Sequence, residues 1–157
     1  MRSILLWSVV AAATAAPLAG QAARELQAHA LGSFASKRFL GGGVGFAFRN
    51  QARTRIGFSV SVGDFSVMPA DGGGRTHALG GRAEALLSYH VSPYERTGFA
   101  PYAGGGVAVA ATADDLSEYL LIVIGVETAP GGRRGWFAEL GLGGGARMSA
   151  GFRVRWR

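Results

Sequence analysis

The sequence predicts an all-β fold: eight antiparallel strands closing into an up-and-down transmembrane barrel behind a cleaved signal peptide. Three features of the 157 residues point there. Eight segments alternate apolar with small or charged residues at a period of two, the repeat of a strand with two unlike faces. Short connections join them, which calls for antiparallel neighbours. An export signal stands ahead of them.

The signal is the most specific local feature. Arg2 precedes an apolar run from Ile4 to Ala16 that ends at Pro17 and Gly20. That run is too short for the ~20 residues of a helical membrane span. Small residues allow cleavage after Ala15, Ala19 or Ala22, and the last choice divides the chain into a signal peptide, 1–22, and a barrel domain, 23–157. The longest later apolar run, Leu120 to Val126, is β-branched and reads as a strand.

The first strand, Arg24 to Gly32, sets Leu26, Ala28 and Ala30 against Glu25, Gln27 and His29. In Arg38 to Arg49, Leu40, Val44, Phe46 and Phe48 oppose Gly41, Gly43, Gly45, Ala47 and Arg49, and Phe39 takes the inward phase. After a turn at Asn50 and Gln51, Arg53 to Asp64 sets Ile56, Phe58, Val60 and Val62 against Arg53, Arg55, Gly57, Ser59 and Ser61. His77 to Val91 places Leu79, Ala83, Ala85, Leu87, Tyr89 and Val91 opposite Arg82, Glu84, Ser88 and His90, with Leu86 the one misfit. Phe99 to Ala111 sets Phe99, Ala103, Val107 and Val109 against Tyr102, Gly104, Gly106 and Ala108. In Ser117 to Thr128, Leu120, Ile122, Ile124 and Val126 oppose Tyr119, Leu121, Val123, Gly125 and Glu127. Trp136 to Gly145 pits Trp136, Ala138, Leu140 and Leu142 against Phe137, Glu139, Gly141 and Gly143, and the chain closes with Phe152, Val154 and Trp156 against Arg153, Arg155 and Arg157. The remaining connections fall at Ser33 to Lys37, Phe65 to Thr76, Ser92 to Gly98, Thr112 to Asp115, Pro130 to Gly135 and Ala146 to Ala150.

Closure removes the two sheet edges that an open meander would expose. Which face turns inward separates two classes. A secreted soluble ligand-binding barrel lines its interior with the apolar face, whereas a membrane barrel gives that face to lipid. Strand runs longer than the ~9–11 residues of a tilted span favour the membrane. So does volume: an eight-stranded interior is narrow, and it accepts long charged side chains only beside small inward neighbours such as Gly41, Gly43, Gly57, Gly104 and Gly141. The lumen is then predicted to be plugged by a charge network of Glu25, Arg82, Glu84, Glu127, Glu139, Arg153 and Arg155, with Glu139 opposite Arg155 across a turn near Arg147. Tyr89, Phe99, Trp136 and Trp156 are expected as an interface girdle near the periplasmic boundary. Both termini are expected on that side.

The Phe99, Pro101, Tyr102 strand with its glycine run, the Trp136 to Glu139 strand and the closing Gly151 to Trp156 together resemble the small eight-stranded bacterial outer-membrane barrels of the OmpA and OmpX type. The resemblance covers Leu26 to Arg157. It implies an outer-membrane location, contact with outer-membrane lipid and lipopolysaccharide, and delivery by the barrel-assembly machinery through the C-terminal strand. Members of this group serve as structural, adhesive, protective or lipid-modifying proteins, so no single activity follows from it.

Other chemistry reads weakly. Zero cysteines exclude disulfides and thiolate metal sites. The charge of +6 comes from dispersed arginines without a basic run, and the alternating Arg153, Arg155 and Arg157 beside Trp156 are better explained as a barrel strand than as a stacking surface for nucleic acid. His90, Ser92 and Glu95 suggest a nucleophile triad, as in a lipid A-modifying envelope enzyme, but they fall at a stiff turn with no oxyanion donors. Gly141, Gly143 and Ala146 match a dinucleotide fingerprint that no helix can follow. His29, His77 and His90 lack metal-ligand spacing, and Asp114, Asp115 and Glu118 read as a solvated acidic turn. No cofactor, metal or catalytic residue is therefore expected.

Overall fold

The computed structural model describes residues 23–49, 53–67 and 74–156. The predicted signal peptide, the turn at Asn50 and Gln51, most of the loop before Thr76 and the terminal Arg157 lie outside the described residues. Eight strands form the fold: β1 Ala23–Phe34, β2 Lys37–Arg49, β3 Thr54–Val67, β4 Thr76–His90, β5 Phe99–Ala111, β6 Leu116–Thr128, β7 Arg134–Leu142 and β8 Ala146–Trp156. Each pairs antiparallel with the next, and β8 pairs with β1 to close the barrel.

The period-two pattern is what makes this closure favourable. Apolar side chains at alternate positions point outward on every strand, and the charged or small ones point in. On β6, for example, Leu120, Ile122, Ile124 and Val126 are exposed on the outer wall while Leu121, Val123 and Glu127 are buried. The inward phase read for the glycines is also realised, as Gly125 illustrates. A Cβ there would lie 2.5 Å from Cζ of Tyr102, so the absent side chain is the space in which that ring sits.

The last hairpin differs from expectation. Ala146 to Ala150 belongs to β8, and the turn is made by Gly143, Gly144 and Gly145 with Leu142 paired to Ala146. The φ angles of Gly144 and Gly145 are 74° and 112°, left-handed backbone that glycine enters without penalty, so three consecutive glycines win over the more polar stretch that follows. The earlier turn shifts the register: Glu139 faces Ser149 across β7 and β8, and Arg155 faces Glu25 across β1 and β8. At the first long connection, β3 runs on to Val67, which turns Phe65 inward as part of the strand.

Candidate functional site

The interior holds an apolar cluster toward the end without the chain termini: Leu31, Phe39, Phe65 and Ala110 pack together with Tyr119 against them, and the Phe39 and Phe65 ring centroids are 4.7 Å apart. The rest is charged, from the terminal end up to Arg82, which lies over Tyr119 and donates to the Gly143 carbonyl in the last turn. Alternation carries arginines and glutamates from seven of the eight strands into one narrow space, where burial makes each charge depend on a partner.

Four glutamates hold the network together. Glu25 accepts from Arg49 Nε at 2.9 Å and pairs with Arg155 Nε at 3.3 Å and Arg55 Nε at 3.5 Å. Glu127 is the hub, reached by Arg49 Nη2 at 2.7 Å, His90 Nδ1 at 2.8 Å, Arg153 Nη1 at 2.9 Å and Arg155 Nη2 at 2.5 Å. Glu139 accepts from Arg147 Nη1 at 3.0 Å and from the Tyr102 hydroxyl at 2.8 Å, with Arg153 Nη2 at 3.3 Å. Glu84 joins Arg82 Nε at 2.8 Å to Arg147 Nη2 at 2.6 Å. Shared arginines make this one continuous network from Glu25 to Arg82. The Arg153 guanidinium also lies 3.9 Å from the Phe137 ring centroid.

All seven charged residues singled out from the sequence lie in this network. Sequence reasoning left out Arg49, Arg55, Arg147, His90 and Tyr102 as members. Arg49 and Arg55 already carried the inward phase, and Arg147 was lost to the misplaced turn. The expected opposition of Glu139 and Arg155 is corrected: Glu139 binds Arg147 and Arg153, and Arg155 binds Glu25 and Glu127.

The residues weighed as a triad are not brought together. Ser92 and Glu95 stand in the turn after β4, while His90 points into the lumen between Ser88 Oγ at 3.3 Å and Glu127. Ser88, His90 and Glu127 have the order of a hydrolase triad. Ser88 is 1% exposed and the His90 ring is stacked on Tyr102 at 4.6 Å, so an ester carbonyl has no approach to the hydroxyl. His29 binds Ser61 Oγ at 2.9 Å inside the barrel, and His77 pairs with Asp64 at 2.7 Å on the outside, well apart from His90. Gly141, Gly143 and Ala146 lie on the last hairpin. In the turn before β6, Asp115 accepts from Lys37 Nζ at 2.5 Å and Ser117 Oγ at 2.9 Å. The Lys37 hydrogen bond, followed by that of Ser117, holds the Asp115 carboxyl below its usual range. Arg153 and Arg155 are buried and present nothing to a polynucleotide.

Outside, Leu79, Phe99, Leu120, Ile122, Ile124 and Trp136 belong to an apolar belt far larger than a water-facing surface tolerates. With carboxylates and guanidinium groups inside, polarity is inverted relative to a soluble barrel. The chain is a small closed eight-stranded antiparallel barrel with an apolar outer wall and a charged interior, the arrangement of a membrane-spanning barrel. The solved structures it is similar to agree. The N-terminal β-barrel domain of Pseudomonas aeruginosa OprF matches with a TM-score of 0.54 at 16% identity, over 84% of this chain and 97% of that one. Neisserial surface protein A matches with a TM-score of 0.58 at 14% identity, over 87% and 98%. No protein-family model and no curated protein matches the sequence.

Proposed function

We propose that this protein is a structural or surface-interaction barrel whose lumen is closed rather than a wide pore. The observation that carries this reading is the filled interior: a continuous Arg/Glu network runs along the lumen and the Phe39 and Phe65 cluster packs beside its far end. In this reading residues 1–22 are the export signal and 23–157 the mature barrel. The termini face the periplasm, the assembly machinery engages β8, and phospholipid and lipopolysaccharide surround the wall. Function then resides in the connections 35–36, 68–75, 112–115 and 143–145 on the outer side. The protein has no catalytic role in this reading.

Trypsin added to intact cells tests the orientation. Arg75 lies in the longest of those connections, and cleavage there is the expected result, whereas cleavage at Arg96 or Arg133 would invert the barrel. Lipid A from cells with and without the protein should have the same mass spectrum; a lost or added acyl group would establish an enzyme instead.

A further inference from the structure

The outer wall is not equivalent around the barrel. Near the terminal end of β7, β8 and β2, aromatic side chains form two groups of contacts, one between β7 and β8 and one reaching from β8 across β1 to β2. Trp136 meets Phe152 with centroids 5.1 Å apart, and Phe46 meets Phe48 at 4.7 Å and Trp156 at 6.3 Å. Two exposed arginines share that face. Arg24 stands in register between Phe48 on one side and Trp156 on the other. Arg134 faces Val154 and shares its strand face with Trp136, two residues on. Neither arginine has an acidic partner among the described residues, and the outward positions of these four strands carry no carboxylate. The other flank carries Tyr89 and Phe99 at this level, and the turn holding the exposed Glu95 lies between the two flanks, its Glu95 carbonyl accepting from Gly131 N ahead of β7.

We infer that this flank is a docking site for an anionic glycerophospholipid, its phosphate held by Arg24 and Arg134 and its glycerol and upper chains against the two aromatic groups. Charge complementarity decides the occupant. A cation at the edge of the hydrocarbon layer with no counter-ion among the described residues is matched by an anionic lipid, and indole rings prefer the level at which glycerol esters lie. Two strand spacings and a two-residue offset separate the arginine Cα atoms by roughly 12 Å. Side chains of that length converge on one headgroup or grip the paired phosphates of a diphosphatidylglycerol. The choice of a glycerophospholipid over lipopolysaccharide rests on the orientation proposed above; the site itself does not.

Trp136 and Trp156 are the tryptophans of the described residues, and both belong to the patch, so their fluorescence reports its occupancy. The refolded protein in vesicles mixing phosphatidylcholine with chain-brominated phosphatidylglycerol should show preferential quenching by the anionic lipid. Arg24→Gln and Arg134→Gln should each reduce that preference about fivefold, as expected for one arginine near a charged lipid surface. Arg38→Gln, at the other end of the same flank, should leave it unchanged. A gel comparison of heated and unheated samples verifies that each variant is folded. Equal quenching by brominated phosphatidylcholine and phosphatidylglycerol, or an undiminished preference in the double variant, overturns the site. Displacement of the brominated lipid by lipopolysaccharide more readily than by phosphatidylglycerol overturns the lipid assignment, and trypsin cleavage at Arg75 distinguishes that outcome from a failure of the orientation.

Discussion

Arg153 donates from Nη1 to Glu127 at 2.9 Å, and neither side chain has any surface exposed to solvent. Glu127 also receives Arg49, Arg155 and His90, so its removal strands more positive charge than any other single change. Glu127→Ala should cost ~3–5 kcal/mol of folding free energy, the scale for breaking a buried pair. Glu127→Gln should cost less, because the amide oxygen still accepts hydrogen bonds. Urea unfolding of the barrel in micelles or vesicles measures both, and an Ala variant as stable as wild type would remove the hub from the account.

The register of the last hairpin gives a second expectation. Glu139 binds Arg147, whereas Arg155 reaches Glu25 and Glu127 and does not touch Glu139. In double-mutant cycles, Glu139→Ala with Arg147→Ala should recover part of the summed loss, with a coupling of about 0.5–3 kcal/mol, as for directly contacting residues. Glu139→Ala with Arg155→Ala should be closer to additive. The reverse ranking would restore a turn near Arg147.

Strand phase was legible because one rule, alternation, acts independently at every position. Even glycine-rich β5 could be phased from Val107 and Tyr102, and Phe39 was turned inward against its hydrophobicity. Register was not legible in the same way, since it depends on which residues make the turn. Polar Ala146 to Ala150 competed with Gly143 to Gly145, and only the positive φ angles at Gly144 and Gly145 decide between them. Partner identity within the lumen depends on register and on reach across the barrel. For that reason Arg147 and the contact between His90 and Glu127 stayed hidden while the inward set was largely visible.

The surface pair between the start of β2 and the connection before β6 should confer a small acid sensitivity. Asp115 has its carboxyl pKa lowered by Lys37, so the pair stabilises the fold above the unfolded-state pKa of about 4 and loses that contribution as pH falls through the lower folded-state value. Wild type should therefore exceed Asp115→Asn in stability at pH 6, with the gap closing as the pH falls below the ordinary carboxylate range. A gap that widens on acidification would contradict the pairing.

Depth in the bilayer should grade the cost of a charge on the outer wall. Ile122 and Val60 sit mid-strand, and Trp136 stands next but one to the end of β7. Ile122→Arg or Val60→Arg should cost ~2–4 kcal/mol and Trp136→Arg ~0–1 for the charge itself. Refolding yield into vesicles provides the comparison, and equal losses at the two depths would mean that Trp136 is not at an interface.

The lumen carries unequal charge, and this fixes the sign of any current through it. Arg49, Arg55, Arg82, Arg147, Arg153 and Arg155 are buried there against Glu25, Glu84, Glu127 and Glu139, six guanidinium groups to four carboxylates. Wild-type protein in planar bilayers should show little steady conductance, because eight strands enclose only side-chain volume. An ion passing during rare rearrangements meets a positive wall, so openings should be anion-selective, with a reversal potential in a salt gradient of the corresponding sign. Arg55→Ala and Arg82→Ala together bring the ratio to four against four and should reduce that selectivity; Glu84→Gln should increase it. A large, steady, cation-selective current from the wild-type protein would be incompatible with both the plug and its surplus of positive charge.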